Sequence, residues 1–159
     1  MPNHVYNSLK ITGQKKALKK FAHENADPKN KEQSLNFEAI APCPTFFLNP
    51  DDGKIFSLRY GKQKLPVERW YEWRLRHWGT KWNAYDIDEE HDTNSTKPYL
   101  LYRFLTAWSP PQTWLEEAGQ WYPELTFQMC FEEEANSYPK GTFRMEKGRF
   151  KELKGCRIK

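Results

Sequence analysis

Trp78-Gly79-Thr80-Lys81-Trp82 and Thr106-Ala107-Trp108-Ser109-Pro110-Pro111 decide the fold, because each places tryptophan beside a residue that marks a helix boundary. Gly79 stands where a helix ends, at the position that favours a left-handed backbone. Upstream of it, Pro66 opens a helical reading to Trp78, with Trp70, Trp73 and His77 at i, i+3, i+7. In the second stretch Ser109 is read as the N-cap, Pro110 as the first helical residue and Gln112 as the capping-box residue. Trp114, Leu115, Ala118 and Trp121 then supply the apolar side of that helix.

Working outward, Lys81 to Asp88 alternates as a strand, Glu89 to Thr96 is a polar turn, and Tyr99 to Trp108 is the returning strand of a hairpin. Leu125, Phe127, Met129 and Phe131 alternate with polar residues to give a further strand with one buried face. At the start, Val5, Asn7, Leu9 and Ile11 alternate as a strand ending at Gly13. A helix over Lys15 to Asn25 follows, with Ala17, Leu18, Phe21 and Ala22 on one face. Leu35 to Ile40 reads as a short strand, and residues 41–65 as an irregular loop of unusual length. From Thr142 onward the pattern allows a hairpin or an edge strand.

With the insertion set aside, the order is βαββαβ. This predicts an α+β ferredoxin-like sandwich, an antiparallel sheet with two helices on one face. The chain reads as a single domain over residues 1–159. It carries a helical insertion at about 35–79, between the first helix and the second strand, and a basic C-terminal extension at about 140–159. Right-handed crossovers are expected to set strands one and three side by side and parallel in the middle of the sheet.

Composition agrees with one core. The 159 residues suffice for one well-buried domain. Aromatic residues make up 16%, with seven Trp, against a mean hydropathy of −0.96, so a few large rings must carry the core. The N-terminus has no apolar signal-like region and no run approaches a membrane span, which predicts neither a signal peptide nor contact with a membrane. Cys43, Cys130 and Cys156 are odd in number and lie far apart, an arrangement read as reduced thiols in a cytoplasm with no disulfide framework. Residues 140–159 hold eight Lys/Arg against two Glu, while the rest of the chain is net −2. That tail, Lys140 to Lys159, is a solvated face or a contact for nucleic-acid phosphates.

Three stretches carry a family resemblance: Pro2-Asn3-His4 with Asn7-Ser8-Leu9-Lys10-Ile11-Thr12-Gly13; Trp70-Tyr71-Glu72-Trp73-Arg74 with His77 to Asp86; and Phe104 to Pro111. Together they resemble the YubB-like family of ferredoxin-like proteins of plasmids and phages. The resemblance runs to Phe131 and departs in residues 41–65 and after Tyr138. It implies a ferredoxin-like domain, a mobile-element origin and action in the cytoplasm of a bacterial host. It supplies no catalytic residues.

Two surfaces stand out as candidates. If strand one ends beside the end of strand three, the N-termini of both core helices, near Gln14 and Pro110, point to one end of the sheet and favour an anion there. Lys81 would add charge, and Trp78, Trp82, Trp108 and Ser109 would complete a site for a phosphate-bearing ligand or nucleotide. The competing reading makes those tryptophans core. The second surface is the helix before Gly79, where Trp70, Tyr71, Arg74 and Arg76 have the composition of a protein–protein hot spot. They equally suit a helix docked on the sheet with its arginines reaching outward. No cofactor is implied. His4, His77 and His91 have no metal-ligand spacing, and no nucleophile or phosphate-loop motif is present, so neither a metal site nor catalysis is expected. The leading expectation is a non-enzymatic accessory protein that binds a host macromolecule, with interference with a bacterial defence system as one such role. A small-ligand or nucleic-acid binder is the alternative, and oligomeric state is left open.

Overall fold

The computed structural model describes residues 3–45, 57–60, 63–66, 69–135 and 140–155. Its sheet is built around β1 (His4–Thr12), where Val5, Leu9 and Ile11 are fully buried and Tyr6 is exposed. α1 (Lys15–Glu24) follows, burying Leu18 and Phe21. The middle of the chain holds β2 (Ser57–Tyr60), β3 (Gln63–Pro66) and α2 (Trp70–His77). The hairpin of β4 (Tyr85–Asp92) and β5 (Tyr99–Ala107) comes next, then α3 (Gln112–Trp121) and β6 (Thr126–Glu133). β7 (Gly141–Glu146) and β8 (Arg149–Lys154) close the described chain as a second hairpin.

Six strands form one sheet in the order β4-β5-β1-β6-β7-β8, every neighbouring pair antiparallel. The chain has the ferredoxin-like, α+β architecture. One feature of the sequence reading is corrected: β1 and β5 are neighbours but antiparallel, with His4 opposite Ala107 and Thr12 opposite Tyr99. The α1 crossover makes β4 parallel to β1, and the hairpin partner β5 then runs back between them. The end of β1 therefore lies at the opposite end of the sheet from the end of β5.

The register assigns the two faces. Val5, Leu9 and Ile11 share one face with Leu100, Tyr102 and Phe104 of β5 and Phe127, Met129 and Phe131 of β6, all buried. Phe21, Phe37, Trp78 and Trp114 complete this core. Each such ring removes roughly 150–250 Å² of surface from water, a large contribution in a polar chain. The other face carries Tyr6, Ser8, Lys10 and Thr12 of β1. Arg103 there pairs with Asp88 and Glu90 at 3.1 Å each.

Several local expectations change. Leu35 to Ile40 is a 3-10 turn over Phe37–Ala39, not a strand. Asn36 accepts from Glu38 N, and Asn83 accepts from Phe37 N, so side chains take the place of a ladder. Residues 41–65 are not wholly irregular, since β2 and β3 pair as a small hairpin; residues 46–56 and 61–62 lie outside the described residues. α2 starts at Trp70, not Pro66, because Pro66 ends β3 and Arg69 N donates to the Glu72 carboxylate. β4 starts at Tyr85, four residues later than expected, and it includes Glu89 to Asp92. Those acids can stand in a strand because Arg103 and Tyr99 bond Glu90 from across the ladder.

Cys130 is disulfide-bonded, and Cys43 is buried. This overturns the expectation of thiols without a crosslink, and the cytoplasmic placement loses that support. Among the described residues no helix is long and apolar enough to cross a membrane.

Candidate functional site

The two tryptophan motifs meet at one end of the sheet. α2 ends on Trp78, which is fully buried and donates its indole N–H to Ala41 O at 2.8 Å. Gly79 adopts φ +81°, as its C-terminal position predicts, and a Cβ there would stand 3.1 Å from Gln112 N and 3.2 Å from Thr113 N. Only glycine lets the end of α2 approach the start of α3 this closely. The approach has a purpose: Trp78 O accepts the otherwise orphaned N–H of Trp114 at 3.3 Å. Ser109 Oγ donates to Gly79 O at 2.5 Å and Thr80 Oγ1 to Ala107 O at 2.9 Å. Thr106 Oγ1 donates to Ser109 O and accepts from Asn7 Nδ2, each at 2.9 Å.

These bonds revise the ligand-site expectation. α3 begins at Gln112 with no side-chain cap, so Ser109 is not its N-cap; its hydroxyl ties β5 to the end of α2. The N-terminus of α3 faces the backbone of Trp78 and Gly79. The N-terminus of α1 lies at the far end of the sheet, so the two helices do not converge on an anion. Trp78 is core and offers no face to a ligand. Lys81, Trp82 and Trp108 do lie at this end, and Trp82 and Trp108 are exposed.

Of the residues proposed for partner contact, Trp70 and Arg74 serve the docking of α2. The Arg74 guanidinium lies 5.0 Å from the Trp70 ring and 4.7 Å from the Trp78 ring, and 3.7 Å from Glu38. Tyr71 and Arg76 are exposed. Burial holds the Glu38 carboxyl above its ordinary range, opposed by the hydrogen bond from Cys43 N and by Arg74. The native state then keeps this proton where the unfolded chain has lost it, so stability falls as pH rises from about 4.5 through the raised value. Glu38→Gln is expected to flatten that part of the pH–stability curve, as measured by urea midpoints between pH 4 and 7.

What remains exposed is a run of rings. Lys81 Nζ lies 5.3 Å from the Tyr71 ring centroid and 5.5 Å from that of Trp82. The Trp82 ring meets Tyr85 edge-on at 6.2 Å, and Tyr85 meets His4 edge-on at 5.8 Å. His4 Nδ1 and Tyr85 Oη are 2.6 Å apart. Tyr85 and Tyr6 both sit opposite Leu105 across the sheet, and Trp108 follows Ala107, the partner of His4. Among the described residues the large exposed apolar side chains are Tyr6, Tyr71, Trp82, Trp108 and Trp121, and of these only Trp121 lies away from this end. Tyr6 was legible as the aromatic on the polar side of a central strand. The convergence of His4, Tyr85 and Trp82 was not, because it depends on strand direction.

Backbone strain gathers here as well. Trp108 has φ +71° and Asp86 has φ +49°, the latter where the β4–β5 register shifts between Tyr85 and Asp88. Lys147 also has positive φ but shares the β7–β8 turn with Gly148, where hairpin geometry requires it. A left-handed residue costs about 1–2 kcal/mol for an L side chain, and a bulge re-aims the side chains beside it. Trp108→Gly is therefore expected to be more stable than Trp108→Ala by about 1 kcal/mol, reversing the usual order. Equal midpoints in chemical denaturation would contradict the strained backbone. Among the described residues no three His, Cys, Asp or Glu side chains gather to hold a metal.

Residues 77–154 match the family model described as the ferredoxin-like domain in Api92-like protein. The matched span opens at the end of α2 and closes at the end of β8, so it holds both tryptophan junctions but not β1 or α1. The protein Api92 from Yersinia pseudotuberculosis, known from its crystal structure, is similar at 14% identity and a TM-score of 0.46. That likeness covers 58% of this chain and 33% of the Api92 chain. No curated protein matches.

Proposed function

We propose that the chain is a non-enzymatic binding protein that engages a macromolecular partner through the exposed aromatic end of its sheet. The observation that carries this is the concentration of Tyr6, Tyr71, Trp82 and Trp108, each at least 37% exposed, at one end of the molecule. Trp and Tyr dominate protein–protein hot spots because they bring large, rigid, amphipathic area to a contact. Left uncovered, such rings face water at a cost that a partner would remove. Strain at Trp108 and Asp86 fits the same reading, since strained backbone persists where it presents side chains for use.

In this reading the protein is an accessory of a phage or plasmid and its partner is a macromolecule of the bacterial host, with a defence component as one such target. The motif resemblance, not the cysteines, supports that setting and the cytoplasmic placement. Native mass spectrometry of the chain purified gently from its host tests the reading. A co-purifying protein chain is the expected result. Added mass of a few hundred daltons would favour the ligand-binding alternative at Lys81, Trp82 and Trp108.

A further inference from the structure

The aromatic end also carries charge in a pattern that specifies what it would hold. Asp86, on the bulge next to Tyr85, and Glu134, whose N–H donates to His4 O, are exposed. Neither forms an ion pair among the described residues. Their neighbours are accounted for: Glu132 pairs with Lys140, and Glu133 is buried and accepts from Asn3 Nδ2. Lys81 is a cation at this end, and it lies over Tyr71 and Trp82. Two unpaired carboxylates thus flank the Tyr6, Tyr85 and Trp82 rings, in a molecule whose overall charge is +4.

We propose that this acid-flanked aromatic row is a seat for a cationic side chain, a lysine or arginine presented by a segment of the partner protein. The proposal rests on the partner-binding reading above and names the chemistry of the contact. A ring face attracts a cation through its quadrupole, an effect of about 0.5–1 kcal/mol at exposed sites and more when water is excluded. Lys81 shows that Trp82 already accepts a cation within reach. Burial, then the charges of Asp86 and Glu134, holds the Tyr85 phenol above its ordinary range, which places both carboxylates within electrostatic reach of that ring. An anion would meet both carboxylates, which argues against phosphate or nucleic acid at this row.

The test is an NMR titration of the full chain with a short lysine-containing peptide and with its norleucine counterpart. The lysine peptide is expected to shift the Trp82 indole and the Tyr6 and Tyr85 ring signals, and the norleucine peptide to shift them much less. Asp86→Asn combined with Glu134→Gln, both exposed positions, should weaken the lysine peptide about fivefold, within the range that two exposed charge pairs supply. Equal responses to the two peptides, no response, or an unchanged affinity in the double variant would each overturn the proposal. The broader reading falls separately, if alanine at Trp82 and Trp108 leaves partner capture unchanged.

Discussion

Replacing Trp78 with alanine should cost about 3–5 kcal/mol, the range for a fully buried aromatic truncated in a core, and should unfold much of the protein at 37 °C. The indole is fully buried and packs edge-on against Phe37 at 5.8 Å and Trp73 at 6.1 Å. It bears the Arg74 guanidinium on its face at 4.7 Å, and its N–H holds Ala41 O. Truncation would open a cavity, leave Ala41 O without that donor and free Arg74 from one of its two ring contacts. Trp78→Phe should cost less, since most of the volume remains. Thermal or urea unfolding of the two variants measures both. A loss below about 1 kcal/mol for alanine would mean that α2 is not docked through this ring.

The second large effect is on binding. Trp82→Ala with Trp108→Ala should weaken partner capture by at least about 30-fold, equivalent to the 2 kcal/mol that defines a hot-spot residue. The fold should survive, because both rings are more than a third exposed. Trp121→Ala supplies the control. That residue is 63% exposed at the end of α3, and α3 runs away from the tryptophan junction, so the truncation should leave capture unchanged. Together with Trp78→Ala, these variants separate two roles that identical residue types play within a few positions of each other.

That separation explains what the sequence could and could not show. The alternation at Val5 to Ile11 and Leu125 to Phe131, and the glycine at position 79, were legible because each follows from local backbone geometry. The β7–β8 hairpin was legible in outline. Strand direction was not, because relative orientation is set by the path of α1 and no single segment records it. Strand direction places the start of α1 at the opposite end of the sheet from Lys81, Trp82 and Trp108, so the two helix N-termini do not converge on one anion. Ser109-Pro110-Pro111 was misread for a different reason: a tertiary acceptor, Gly79 O, takes the hydroxyl that a cap would use. The tryptophans posed the hardest case. Trp78, Trp82 and Trp108 look alike in the sequence, yet one is core and two face water, and only the packing of α2 against α3 distinguishes them.

The central claim is that the exposed rings at this end, and not the rest of the surface, hold a partner. Quantitative affinity capture from host extract, comparing the intact chain, the Trp82/Trp108 double alanine variant and Trp121→Ala, tests it most directly, with each variant's fold checked by thermal unfolding. The account predicts partners retained by the intact chain and by Trp121→Ala and lost by the folded double variant. Equal retention by all three would contradict it.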